Sequence, residues 1–235
     1  MSMNSGFVNL LKAPGMSSHR AVMKLRHLLG IKKIGHLGTL DPLACGVLPL
    51  AVGSATKLIP QLPPQSKGYW GEVILGAFTS TDDAEGEILQ SFPVPPLEAE
   101  FLEREILPAF RGRINQVPPR FSAIHHQGKR LYQLARQNIA VDIPPREVEV
   151  YALRLEEIIP SGLRISVECS PGTYIRALAR DLGEKLGLGG YLGFLIRTKS
   201  GPFKLENSYT YEEIEALWQK GEDSFLIAPE EVLGH

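Results

Sequence analysis

Acidic residues are almost missing from the first 71 positions. Asp41 is the only carboxylate there, against eight Lys/Arg: Lys12, Arg20, Lys24, Arg26, Lys32, Lys33, Lys57 and Lys67. The shortage returns between residues 106 and 141, where Arg111, Arg113, Arg120, Lys129, Arg130, Arg136, His125 and His126 meet no Asp or Glu. The overall net charge of −1 hides this, because residues 1–71 carry +7 and the remainder −8. Such polarity marks either a surface that faces a polyanion or a basic half balanced by an acidic one, and charge alone weighs the two equally.

Other absences narrow the class. Two cysteines, Cys45 and Cys169, far apart and in no paired motif, exclude a disulfide scaffold and fit a reducing, cytoplasmic setting. No signal-peptide pattern and no apolar run of about 18 residues predict neither export nor a membrane span. There is no Walker loop. The glycines of residues 187–193 are out of register for a dinucleotide fingerprint and follow a helix rather than a strand. His125-His126 have no partners at metal-ligand spacing, so no metal or other cofactor is expected.

What is present predicts a mixed α+β fold, with a largely antiparallel central sheet flanked by helices, because strands and helices do not alternate strictly. Strands are expected over 7–12, 47–52, 69–75, 87–92, 147–158 and 163–169. A helix capped by Ser17 or Ser18 carries Val22, Leu25, Leu28 and Leu29 on one face and stops at Gly30. Further helices are expected near 97–107, over 173–186 and over 211–220. Residues 1–205 read as one unit, with an irregular basic insertion at about 106–141. Residues 206–235 read as a short acidic helical extension.

Asp41 lies in Gly35-His36-Leu37-Gly38-Thr39-Leu40-Asp41-Pro42-Leu43-Ala44, and on spacing alone it is a turn residue before proline. The longer pattern adds Gly46, Leu48-Pro49 and Gly53-Ser54-Ala55-Thr56-Lys57, and it closely resembles the signature of the TruB family of tRNA pseudouridine-55 synthases. The resemblance recurs at Lys12 with 15–18, at Lys67-Gly68-Tyr69, at 118–123 with 128–132, at 172–176 with 181–183, and at Leu195 with Arg197-Thr198. Departures from the pattern fall at Ala13, Ser80, His125 and Ile196 and spare Asp41, Tyr69 and Arg176.

The resemblance implies a cofactor-free isomerase acting on uridine 55 in the T-loop of tRNA. Asp41 would be the nucleophile, Arg176 would keep it ionised and aimed, and Tyr69 would stack on the uracil and accept the C5 proton. The substrate contacts it implies are His36 and Leu195 around the flipped base, Lys12 as a further substrate-binding residue, and Arg20, Lys24, Lys32, Lys33, Arg111, Arg113, Lys129 and Arg130 on the phosphates. A monomer with tRNA as its partner and no protein partner is expected. A tRNA-binding and folding module with little catalysis is the alternative. A guide-RNA-dependent enzyme fits the short chain less well.

Overall fold

The computed structural model describes residues 5–122, 124–126, 128–137, 139 and 141–234. It divides into two compact units, Met1–Tyr69 with Leu195–His235, and Trp70–Phe194. Both are built on a mostly antiparallel sheet with helices. Two strands, Lys67–Leu75 and Gly190–Ser200, carry residues of both units.

In the first unit the pivotal strand is Cys45–Val52, buried from Gly46 to Val52. Gly6–Lys12 pairs with it antiparallel from Gly6↔Val52 to Lys12↔Gly46. Ile34–His36 joins antiparallel at the far end, where His36 faces Leu50. At the near end Gly190–Ser200 joins in parallel, through Ile196↔Cys45 and Arg197↔Gly46 only. A continuous apolar run, Val47 to Val52, is what burial on both faces demands. Beneath it, Phe7, Val47, Ala51, Ala55, Phe203 and Val232 form the core.

The Ser18–Leu29 helix starts as expected. Ser17 is its cap, accepting from Arg20 N at 3.2 Å, and Gly30 ends it in the left-handed region (φ 67°). Tyr211–Gln219 also matches its expected range, closed by a reciprocal Thr210–Glu213 capping box.

In the second unit, Arg146–Ile159 pairs antiparallel with Gly162–Cys169 on one side and Gly112–Gln116 on the other. The Ile175–Lys185 helix buries Ile175, Leu178, Ala179 and Leu182. It ends in close contact with Gly190. A Cβ on Gly183 would lie 2.2 Å from the Gly190 nitrogen, so only glycine fits there.

Three expectations are corrected. The helix near 97–107 is not one helix. A turn of α-helix at Ala99–Phe101 widens to π at Leu102–Ile106 and tightens to 3-10 at Leu107–Phe110, where Pro108 has no N–H to continue the ladder. The basic stretch 106–141 is not irregular from its start, because Gly112–Gln116 is a strand of the sheet. The strand Gly190–Ser200 was not anticipated, since glycines and charges break its apolar alternation.

Gly46 sits at φ 103°, and a Cβ there would meet the Arg197 carbonyl oxygen at 2.3 Å and its nitrogen at 2.8 Å. Gly46→Ala is therefore expected to separate the two-residue parallel pairing and lower stability by about 1–3 kcal/mol, read by urea denaturation. Ala substitution at Gly15, which also has positive φ but nothing within 4 Å, is expected to cost less.

Candidate active site

Asp41 is half-buried in a loop that is held at every peptide. Arg197 Nη2 donates to Gly38 O at 3.4 Å and Nη1 to Thr39 O at 3.1 Å. The Ser18 hydroxyl donates to Leu40 O and accepts from Leu40 N, both at 2.8 Å. Asp41 O accepts from Ala44 N at 3.2 Å, and Pro42 O accepts from Gly15 N at 2.8 Å. Lys12 Nζ adds a contact to Pro42 O at 3.3 Å while also donating to Ala13 O and Met16 O. Five consecutive carbonyls are thus fixed by donors from five residues, Lys12, Gly15, Ser18, Ala44 and Arg197, which sets the Asp41 backbone.

Two of those fasteners are cations with about 1 % of their surface exposed, Lys12 and Arg197. Lys12 was expected to bind substrate; here it is buried and its ammonium is given to main-chain carbonyls of the loop and of the turn after the first strand. Arg197 belongs to the pattern only as one position of a motif, yet it is the largest fully buried side chain among the described residues. Its guanidinium also donates to Val47 O at 2.7 Å. An arginine in a stretch without apolar alternation gives no sequence signal of burial. The resemblance was the sole hint.

Leu195, 6 % exposed, lies on the same strand two residues before Arg197 and so on the same face. Tyr69 is half-buried on Lys67–Leu75, next to Gly68, where a Cβ would press on Thr198 and Lys199 at 3.0 Å. Lys67 Nζ donates to Ser200 Oγ at 2.6 Å. His36 ends the strand that leads into the Asp41 loop, and its Nδ1 is buried with no hydrogen-bond partner among the described residues. Burial first, then the nearby Arg197 and His19 charges, lower its pKa, which favours a neutral ring.

Arg176, in the first turn of Ile175–Lys185, is buried. It donates to Thr81 O at 3.2 Å and Phe121 O at 3.0 Å, and lies 3.6 Å from the Asp83 carboxylate. Asp83 carried no signal in the sequence. One turn on, Arg180 donates to Asp82 Oδ2 at 2.8 Å, to Asp181 Oδ1 at 2.8 Å and to Val117 O at 2.9 Å. Burial pushes the Asp82 carboxyl up, and Arg180 and Arg176 offset this only in part.

The basic residues sort into two groups. Lys24 sits 3.5 Å from the Tyr211 ring centre and 3.7 Å from the Glu212 carboxylate. Arg111 pairs with Glu103 at 2.7 Å, and Arg113 lies 4.0 Å from Glu147. Arg20, Lys32 and Lys33 are exposed with no carboxylate partner among the described residues. Lys129–Arg130 form a two-residue strand against His125–His126, and their side chains lie outside the described ones, as does Ala123. Among the described residues no cluster of His, Cys, Asp and Glu could hold a metal, and no helix is long and apolar enough to cross a membrane.

The lowered His36 pKa has a pH consequence. The unfolded chain takes up a proton at this residue near 6.5, while the folded state resists it. Stability from this residue is therefore present above 6.5 and lost as pH falls towards the lower folded value. Thermal unfolding followed from pH 8 to 5 (about the range in which histidine titrates) is expected to show a steeper fall for the native chain than for His36→Gln.

Residues 26–175 match the family model for the N-terminal domain of TruB family pseudouridylate synthases. Residues 176–233 match the model for the tRNA pseudouridylate synthase B C-terminal domain. Over 234 residues the chain is 48% identical to a tRNA pseudouridine synthase B of Moorella thermoacetica, covering 98% of this chain and 76% of that protein. A protein of the same name from Gloeobacter violaceus is also 48% identical, covering 98% and 79%. Among solved structures, a chain of a Cbf5-Nop10-Gar1 complex superposes with a TM-score of 0.73 at 31% identity, over 96% of this chain but 59% of the other. A sheet of this topology, an aspartate loop fastened at five carbonyls and a near full-length match at this identity have one common origin, and the chain belongs to the TruB family of pseudouridylate synthases.

Proposed function

We propose that this chain converts uridine 55 in the T-loop of tRNA to pseudouridine, with Asp41 as nucleophile. The observation that carries this reading is the fastened loop around Asp41, a carboxylate on a backbone that cannot drift. Pseudouridine formation breaks the C1′–N1 bond and joins C1′ to C5. The C5 proton leaves and N1 gains one, so atoms balance with no oxidant. A carboxylate that attacks covalently divides this into two easier steps.

Tyr69 is assigned to stack on the uracil and take the C5 proton. Leu195 packs on the base. Arg176 supplies the positive charge that the ionised nucleophile requires. A neutral His36 suits a base-displacing residue, because an uncharged ring can enter a stack that an imidazolium leaves for water. Arg20, Lys32, Lys33, Lys129 and Arg130 are assigned to the phosphates. The chain acts as a monomer on the T-arm in the cytoplasm. The 48% identity to a protein named tRNA pseudouridine synthase B favours free tRNA over a guide-RNA assembly.

Tritium release from tRNA labelled at uracil C5 tests the reaction. Wild type is expected to release it, and Asp41→Asn to slow release by about 10³-fold or more. Binding of tRNA without release by wild type on any T-loop RNA would indicate the folding module instead. Release retained by Asp41→Asn would remove only the nucleophile assignment.

The two groups of basic residues separate in salt dependence. Replacing Lys32 and Lys33 with Gln is expected to flatten the slope of log K against log salt by about 0.7 per lost phosphate contact. Lys24→Gln is expected to change it little, since that ammonium is already held by Tyr211 and Glu212. Filter binding across a salt series checks both.

A further inference from the structure

The segment that follows Gln116 is fastened to the Arg176 helix at three points. The Gln116 side chain, 1 % exposed, accepts from Tyr174 N at 2.8 Å and donates to Tyr174 O at 3.1 Å. Val117 O accepts from Arg180, and Phe121 O accepts from Arg176. The same two arginines, four residues apart and so on one helix face, also hold the 79–86 loop. Arg176 takes Thr81 O and the Asp83 carboxylate, while Arg180 takes the Asp82 carboxylate.

Asp82 has φ 60°, and it is the only residue other than glycine with positive φ among those described. That conformation is strained for a residue with a Cβ and persists only where surroundings impose it. Here two restraints do so: Leu192 N donates to Asp82 O at 3.0 Å, and the carboxylate is held by Arg180. Asp82 and Arg180 are both largely buried, and burial raises the carboxyl pKa despite the arginine. An ion pair with this desolvation penalty contributes more to geometry than to stability.

We propose that Arg180 and Asp82 are positioning residues of the reaction: their ion pair locks the 79–86 loop and the root of the basic segment after Gln116 to the helix that bears Arg176. Neither touches the reacting atoms. They act by keeping Arg176 and the RNA-binding segment in one fixed relation, so that substrate held by the segment meets an arginine already in place. This rests on the pseudouridine synthase reading above for its kinetic part, but the lock itself is a property of the protein alone.

The test compares Arg180→Met, Arg180→Lys, Asp82→Asn and the Asp82→Asn/Arg180→Met double variant by two measurements. The first is amide hydrogen exchange of residues 117–122 in the free protein. The second is single-turnover pseudouridine formation on tRNA, set beside tRNA affinity. Exchange is expected to accelerate in the Met, Asn and double variants, and the single-turnover rate to fall about tenfold, as for a misplaced catalytic group. Affinity should fall only a few-fold. Arg180→Lys, which keeps the Asp82 contact, should recover most of the rate.

Because the two residues act as one unit, the double variant should lose no more than Arg180→Met alone. Asp82→Asn retains shape and leaves Arg180 its Asp181 partner, so it keeps the test alive if Arg180→Met does not fold. Native exchange in Asp82→Asn and Arg180→Met, or losses that multiply in the double variant, would overturn the proposal. Altered exchange with no turnover by wild type would leave the lock standing and remove the functional reading beneath it.

Discussion

The burial of two cations beneath one loop governs the first unit of this protein. Arg197 and Lys12 give their donors to main-chain carbonyls, and three of these, Gly38, Thr39 and Pro42, belong to the loop of Asp41. A buried cation with poor ligands would cost several kcal/mol, so these groups are tolerated only because each has several oxygen partners. The cost fixes the geometry. The loop can adopt one arrangement, since any other strands a charge away from water. Gly46 is part of the same constraint, because its missing Cβ lets the Arg197 backbone lie against the pivotal strand.

Much of the fold was legible because local and tertiary signals agreed. Ser17, Gly30, Thr210 and Glu213 are capping residues in the places where helices begin and end. The apolar runs of Gly6–Lys12 and Cys45–Val52 read directly as buried strands. What escaped was structure whose reason lies elsewhere in the chain. Gly190–Ser200 has no clean alternation because Gly193 must clear Ile74 and Arg197 must point inward. Gly112–Gln116 carries Arg113 and Asn115 outward and looked irregular until paired with Arg146–Ile159.

The site was legible in a different way. Asp41 stood out by charge, but charge could not separate a nucleophile from a turn residue, and only the extended family pattern favours the first. The burial of Lys12 was not legible, because a lysine gives no sign of being buried until the carbonyls that receive it are known. Nor were Asp82 and Asp83, which anchor two helix arginines. Lys24, Arg111 and Arg113 show that a basic count overstates a phosphate-binding surface whenever carboxylates lie within reach.

Reactive loops are usually drawn from the least stable parts of a protein, where local opening costs little. The loop of Asp41 is of the other kind. Its carbonyls are tied to residues 12, 15, 18, 44 and 197, so it has no cheap partial unfolding of its own. To release Asp41 is to release the first strand, the first helix and the strand of Arg197 together. Heat would therefore leave no window in which the fold survives and the aspartate is mispositioned.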